Sequence, residues 1–101
     1  MISVAEIRAY LWEQPRPIRA KSYHFADHMG VSLWSLRHYL KIQRANWDDI
    51  KAQVVSDRAE EMLRTMAPKE VSAQLGFGEV SAFYRAYKSW HGRSFTEDRA
   101  R

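Results

Sequence analysis

Ser81, Tyr84, Arg85 and Lys88 fall at i, i+3, i+4 and i+7, the spacing that places four side chains on one stripe of a helix. Two hydroxyls and two cations in a row suit hydrogen bonding and anion pairing rather than bond breaking. An exposed Arg in such a stripe can bond guanine O6 and N7 bidentately, which discriminates against other bases by about 1–3 kcal/mol. Val80, Phe83, Tyr87 and Trp90 make a second stripe on the same helix, apolar and suited to a core. The helix is entered through Leu75-Gly76-Phe77-Gly78. One face for a core and one for an anion-rich partner, behind a glycine turn, is how a helix-turn-helix reads DNA.

The same device occurs earlier in the chain. Phe25-Ala26-Asp27-His28-Met29-Gly30 parallels Val71-Ser72-Ala73-Gln74-Leu75-Gly76 at an offset of 46, and Trp34 to Lys41 parallels Ser81 to Lys88 at an offset of 47. The second turn is therefore one residue longer. In the earlier copy Leu33, Leu36 and Leu40 form the core stripe, and Trp34, Arg37, His38 and Lys41 form the outward one. Position by position, Trp34 answers to Ser81, Arg37 to Tyr84, His38 to Arg85 and Lys41 to Lys88. The Trp34 indole suits a thymine methyl or the sugar backbone. His38 can donate to a base or a phosphate, with a charge that depends on pH. Lys41, Arg44, Lys88 and Arg93 suit phosphate contacts, which set affinity and salt dependence rather than sequence choice. The helix starts near Ser32 and Glu79 also offer backbone amides to phosphates.

Other chemistry finds little support. His24 and His28 have the four-residue spacing of a helical metal pair, but the intervening Phe25-Ala26-Asp27 lacks the general base of a zinc protease helix and no third ligand stands out. Ser, His and Asp residues are present without a nucleophile elbow. Gly76-Phe77-Gly78 is not a phosphate-cradling loop; Gly76 reads as a helix C-cap and Gly78 as an N-cap. No enzyme, cofactor or metal site is expected. The chain has no Cys, which removes disulfides and thiolate chemistry.

Composition agrees. The 101 residues carry 16 Lys and Arg against 12 Asp and Glu, a net charge of +4, and 46% are hydrophobic, enough for a core. The positive charge is concentrated: neither His28 to Trp47 nor Val80 to Thr96 contains an acidic residue. No apolar run approaches the roughly 18 residues needed to cross a bilayer, and the start has no signal-peptide pattern. A cytoplasmic, nucleoid-associated protein without a membrane partner is the expectation.

The elements needed to position both stripes all read as helix, an all-α fold. Ser3 and Glu6 form a capping box for a helix with Val4, Ile7 and Leu11 on one face, stopped by Pro15 and Pro17. A short helix over Ser22–Met29 turns Phe25, Ala26 and Met29 inward. Gly30 ends it, and Ser32 caps the next helix, which runs to about Gln43. Asn46 and Asp49 cap a long helix from Trp47 to about Thr65, carrying Trp47, Ile50, Val54 and Met62 or Leu63. Pro68 opens another short helix ending near Gly76. Gly92 closes the helix after it, and Ser94-Phe95-Thr96-Glu97 caps a last short one.

With Leu75-Gly76-Phe77, then Ser81, Phe83, Arg85, Tyr87, Lys88, Gly92 and Arg99 in order, the chain resembles the DNA-binding region of AraC/XylS-type transcription regulators from about Val4 to Arg99. The resemblance implies about seven helices: a helix-turn-helix lobe over 1–45, a connecting helix over 46–66 and a second lobe over 67–101. It implies that both second helices enter adjacent major grooves on one face of double-stranded DNA. The sequence departs from the family pattern at Phe95 in place of Pro, Arg44 near a customary Gly, Ser72 in place of Ala and His38 where Arg is general. The connector from Leu63 to Val71 is about two residues shorter than usual.

These residues make the expected function that of a sequence-specific transcription regulator, an activator, bound to DNA as a monomer. If no domain precedes Met1, the chain resembles the small stand-alone members of the family; the alternative is a fragment of a longer protein. Activation would require contact with RNA polymerase, for which the face of the central helix with Asp57, Glu60, Glu61 and Arg64 is available. The alternative is a protein-interaction module that binds and inhibits another regulator or an RNA polymerase subunit through the same aromatics.

Overall fold

A computed structural model describes residues 2–99. Among the described residues seven α-helices run in chain order: α1 (Val4–Glu13), α2 (Ser22–Met29), α3 (Leu33–Ile42), α4 (Trp47–Met62), α5 (Pro68–Leu75), α6 (Val80–His91) and α7 (Phe95–Arg99). A single 3-10 turn, Pro17–Arg19, lies between α1 and α2. There is no strand among the described residues.

Local chemistry sets the boundaries. The Ser3 Oγ accepts from the Glu6 amide at 3.2 Å, Ser32 Oγ from Ser35 at 3.0 Å, Asn46 Oδ1 from Asp49 at 3.2 Å and Ser94 Oγ from Glu97 at 3.1 Å. Each satisfies an amide that has no partner inside its helix. α5 begins on Pro68, whose missing N–H costs nothing at a first helical position. At the ends of α2, α3 and α5 the same double bond recurs. Val31 donates to the Ala26 carbonyl, Ala45 to Leu40 and Phe77 to Ser72, while the preceding residue donates back three positions. This Schellman arrangement requires a left-handed residue at the turn. Gly30 (φ 69) and Gly76 (φ 98) supply two of them, and Arg44 (φ 54) the third.

Two cores form, and α4 serves both. Ile7, Leu11, Phe25, Leu36 and Leu40 pack with Ile50 and Val54 of α4. Val71, Leu75, Phe83 and Tyr87 pack with Val55 and Ala59 of α4. Val54 and Val55 are adjacent, about 100° apart around a 3.6-residue helix, so they face different cores. α1 lies along α4, α2 packs on α3, and α5 packs on α6. Ser72 is buried, and its hydroxyl donates to the Glu79 carbonyl at 3.4 Å, so this polar atom has an acceptor inside the turn.

Four local expectations change. Met29 does not point inward; it is 37% exposed at the end of α2, where Gly30 already turns the chain away. α4 ends at Met62 rather than near Thr65, because Ala67 must be extended ahead of Pro68 and residues 63–66 coil into turns to reach it. Its 16 residues span about 24 Å. The N-cap of α6 is Glu79, not Gly78, and its side chain makes no capping bond. Val80 and Trp90 are only half-buried; Phe83 and Tyr87 carry the buried stripe of α6.

Candidate nucleic-acid interface

The outward stripe of α3 stands clear of the core. Trp34 is 73% exposed, more than any other large apolar side chain described, and Arg37, His38 and Lys41 are exposed beside it. The Trp34 and His38 rings stack with centroids 5.3 Å apart and planes 4° from parallel. This is the i,i+4 neighbourhood of a helix surface. Arg37 and Lys41, also four apart, share a cleft with Asn46, Trp47 and Asp48 at the start of α4. Beyond α3, the left-handed turn at Arg44 keeps its side chain exposed.

The outward stripe of α6 is more uneven. Arg85 and Lys88 are exposed, Tyr84 is 39% exposed, and Ser81 is half-buried near the helix start. Tyr84 is not free to swing out whole, because its ring rests on Phe83 (5.9 Å) and Phe95 (5.6 Å), leaving the edge and hydroxyl for solvent. Among the described residues Arg37, Lys41, Arg44, Arg85 and Lys88 enter no ion pair, so their charges are available to an anion. Arg93 differs: its Nε lies 3.3 Å from Asp98 Oδ1. A phosphate there must compete with an existing carboxylate.

α6 is held rigidly from behind. Tyr87 is buried and donates its hydroxyl to the Asp98 carboxylate of α7. Burial, that hydrogen bond and the nearby Glu60 push its pKa up to about 12, so the donor persists through neutral pH. Glu60 of α4 meets His91 Nε2 at 3.5 Å and Arg99 Nη2 at 3.6 Å, tying α6 and α7 to the central helix. Phe95 packs edge-on against Tyr87 at 5.4 Å, and the Arg99 guanidinium lies over its ring at 5.3 Å.

Two capped turns, each leading into a helix with a buried apolar stripe and an exposed stripe of donors and cations, form the arrangement of a helix-turn-helix pair. The family model described as "Helix-turn-helix domain" matches residues 25–101. The chain belongs to the AraC-type helix-turn-helix family. As a member it is a DNA-binding domain of the kind found in transcription regulators.

Solved structures agree on the fold. The transcriptional regulator CdpR from Pseudomonas aeruginosa is similar at a TM-score of 0.84 with 27% identity over 97% of this chain. The match spans 31% of that protein's chain. A DNA-binding transcriptional dual regulator from Escherichia coli K-12 superimposes with a TM-score of 0.80 and 15% identity, over 96% of this chain and 89% of its own, and shares the fold. No curated protein matches significantly.

The departures from the AraC-type pattern acquire physical meaning. Phe95 is the first residue of α7, where Pro fits well, but the phenyl ring fills the gap under Tyr84 and Tyr87. Arg44 occupies the left-handed position that Gly favours.

One group of residues carries no signal in the sequence pattern. Arg16, Ile18 and Arg19, in the basic Pro-Arg-Pro-Ile-Arg run between α1 and α2, reach the second turn: Arg19 Nε donates to the Gly76 carbonyl at 2.7 Å. The residues are 57 positions apart, and no periodicity connects them.

Proposed function

We propose that the chain is a sequence-specific, double-stranded-DNA-binding transcription regulator that inserts α3 and α6 into adjacent major grooves. One chain carries two reading helices, so it binds as a monomer. The observation that carries this reading is the repetition: two helix-turn-helix units, each with its own core, expose cation-bearing stripes on their second helices. Successive major-groove faces on one side of DNA are about 34 Å apart. The molecule's longest dimension is 44 Å, enough to cover that distance.

In this reading Arg37, His38 and Trp34 of α3 and Ser81, Tyr84 and Arg85 of α6 approach base edges. Lys41, Arg44, Lys88 and Arg93 meet phosphates. The stack of Trp34 on His38 gives the first helix a flat apolar edge suited to thymine methyls. The single Arg85 gives the second a guanine preference.

Activation needs a further surface. Asp57 is already bonded to Arg8 and Gln53, and Glu60 is paired with Arg99 and lies beside His91. Glu61 and Arg64 remain, beside a cleft that also contains the exposed Trp12. That patch is the best candidate for touching RNA polymerase, and a DNA-bound role in the bacterial nucleoid follows from the same reading.

Selection of bound sequences from a random duplex pool tests the proposal. Two boxes about one helical turn apart are expected, with affinity falling steeply as salt rises through counterion release. A single recovered box would restrict reading to one lobe. Absence of any duplex binding at low salt would refute the DNA reading and favour the protein-interaction module.

A further inference from the structure

Residues 14–20 do more than join α1 to α2. Both ends of the segment are bonded to α4: Arg58 Nη1 donates to the Gln14 carbonyl at 2.6 Å, and Lys51 Nζ to the Ala20 carbonyl at 3.2 Å. Pro17 is fully buried. Between those anchors the 3-10 turn reaches the other lobe. Ile18 packs against the core formed by α5 and α6. Arg19 Nε donates to the Gly76 carbonyl at 2.7 Å. A Cβ placed on Gly76 would lie 2.9 Å from Arg16 Cβ and 3.1 Å from Ile18 Cγ2, so the strap sits directly on the glycine.

The position of that contact matters for reading. Ala20 leads into α2, which packs on α3. Gly76 is the turn that aims α6. The strap therefore links the base of one reading head to the hinge of the other without passing along α4. α4 also joins the lobes by packing in both cores, and its covalent exit to α5, residues 63–67, is a short irregular turn. A charge-assisted bond from a guanidinium to a carbonyl is directional as well as strong.

We infer that Arg19 is a positioning residue for DNA recognition: its bond to Gly76 fixes the angle between α3 and α6 and so selects the spacing of the two half-sites. The inference rests on the two-helix reading above. Two tethered heads gain affinity through effective concentration only if the tether presents both in register. Loosening the strap leaves each head intact and lowers that concentration.

The experiment uses the full chain and two readouts. In the first, DNA affinity is measured on a duplex with both selected boxes, on the same duplex with one or two base pairs added or removed between them, and on a duplex with the α6 box alone. Arg19→Met keeps the aliphatic stem but has no donor. It is expected to bind the two-box duplex about tenfold more weakly, to bind the single box unchanged within about twofold, and to lose the preference for one spacing. Arg19→Gln, which carries an N–H at the same distance along the side chain, is expected to restore most of the preference. Equal losses on single-box and two-box DNA, or an unchanged spacing preference in Arg19→Met, would overturn the inference.

The second readout needs no DNA. The chain has no native Cys, so spin labels on Asp27→Cys in α2 and Ala73→Cys in α5, both exposed positions, report one interlobe distance. That distribution should be narrow with Arg19 and broad with Arg19→Met; equal widths refute the strap. If wild type recovers only one box, the two-helix reading falls and the label distances alone decide whether Arg19 sets the lobe angle. Circular dichroism checks folding. Should Arg19→Met be unfolded, Arg19→Lys, whose donor lies one atom further out, is judged by the same criteria.

Discussion

Arg44→Gly should make the protein more stable and a weaker DNA binder. Arg44 lies two residues past α3 at φ 54, the left-handed position of a Schellman turn closed by Ala45 donating to Leu40 at 2.9 Å and Arg44 donating to Lys41 at 3.1 Å. A residue with a Cβ costs about 1–2 kcal/mol in that conformation. Gly avoids the clash but has more backbone freedom to lose on folding, roughly 0.5–1 kcal/mol. The side chain is exposed and enters no ion pair among the described residues, so little packing is forfeited. The difference is a gain of about 0.5–1 kcal/mol, or roughly 2–8 °C in Tm at about 4–8 °C per kcal/mol for a domain of this size. The two turn bonds are backbone bonds and survive the change. On DNA, losing one phosphate contact should lower the slope of log K against log salt by about 0.9. Calorimetry or circular dichroism melts give the first number, and binding isotherms at three or more salt concentrations give the second. Arg44→Ala serves as the control, since it removes the charge while leaving a Cβ in the strained conformation. It should lose the salt slope without gaining the stability. A lower Tm for Arg44→Gly than for wild type would refute the strain argument. An unchanged salt slope in both variants would remove Arg44 from the interface.

Three further outcomes are expected. Gly76→Ala combines a disfavoured φ of 98 with a Cβ 2.9 Å from Arg16 Cβ, and should cost roughly 2–4 kcal/mol, read from the urea midpoint at constant m-value. Arg85→Ala should relax base preference at one half-site by about 1–3 kcal/mol, whereas Lys88→Ala should weaken all sequences alike and lower the salt slope by about one; wild-type behaviour in both variants would unseat α6 as a reading helix. Tyr87→Phe removes the bond to Asp98 and should cost about 1 kcal/mol at neutral pH. Because the folded pKa is about 12 against 10 when unfolded, this contribution is complete below pH 10 and is lost as pH rises toward 12. Urea unfolding of both proteins across that range should show the gap closing, and a constant gap would contradict the assignment.

What the sequence determines by itself is whatever the chain specifies locally. Helix order, the caps at Ser3, Ser32, Asn46 and Ser94, and the glycine stops at Gly30, Gly76 and Gly92 each depend on a few neighbouring residues, whose backbone bonds close within one turn. The buried stripes of Leu36 with Leu40 and of Phe83 with Tyr87 follow from 3.6-residue periodicity and the cost of leaving such surface in water. The same periodicity turns Trp34, Arg37, Arg85 and Lys88 outward. Composition alone could also concentrate positive charge on those two segments.

Tertiary structure decided what depends on residues far apart in the chain. The stripe of Trp47, Ile50 and Val54 discloses only one side of α4, which is buried on two, with Val54 in one core and Val55 in the other. Only packing shows that Asp57 and Glu60 are occupied by Arg8, His91 and Arg99, which withdraws half of an acidic face that looked free. Only packing shows that Tyr84 leans on Phe95. Arg19 is the clearest case. Its neighbours in sequence describe a basic linker, while its function as a fastener depends on Gly76, brought within 2.7 Å by the joint folding of both lobes. A local pattern can specify which face of a helix meets DNA; the angle between two such faces is a property of the contacts that hold them.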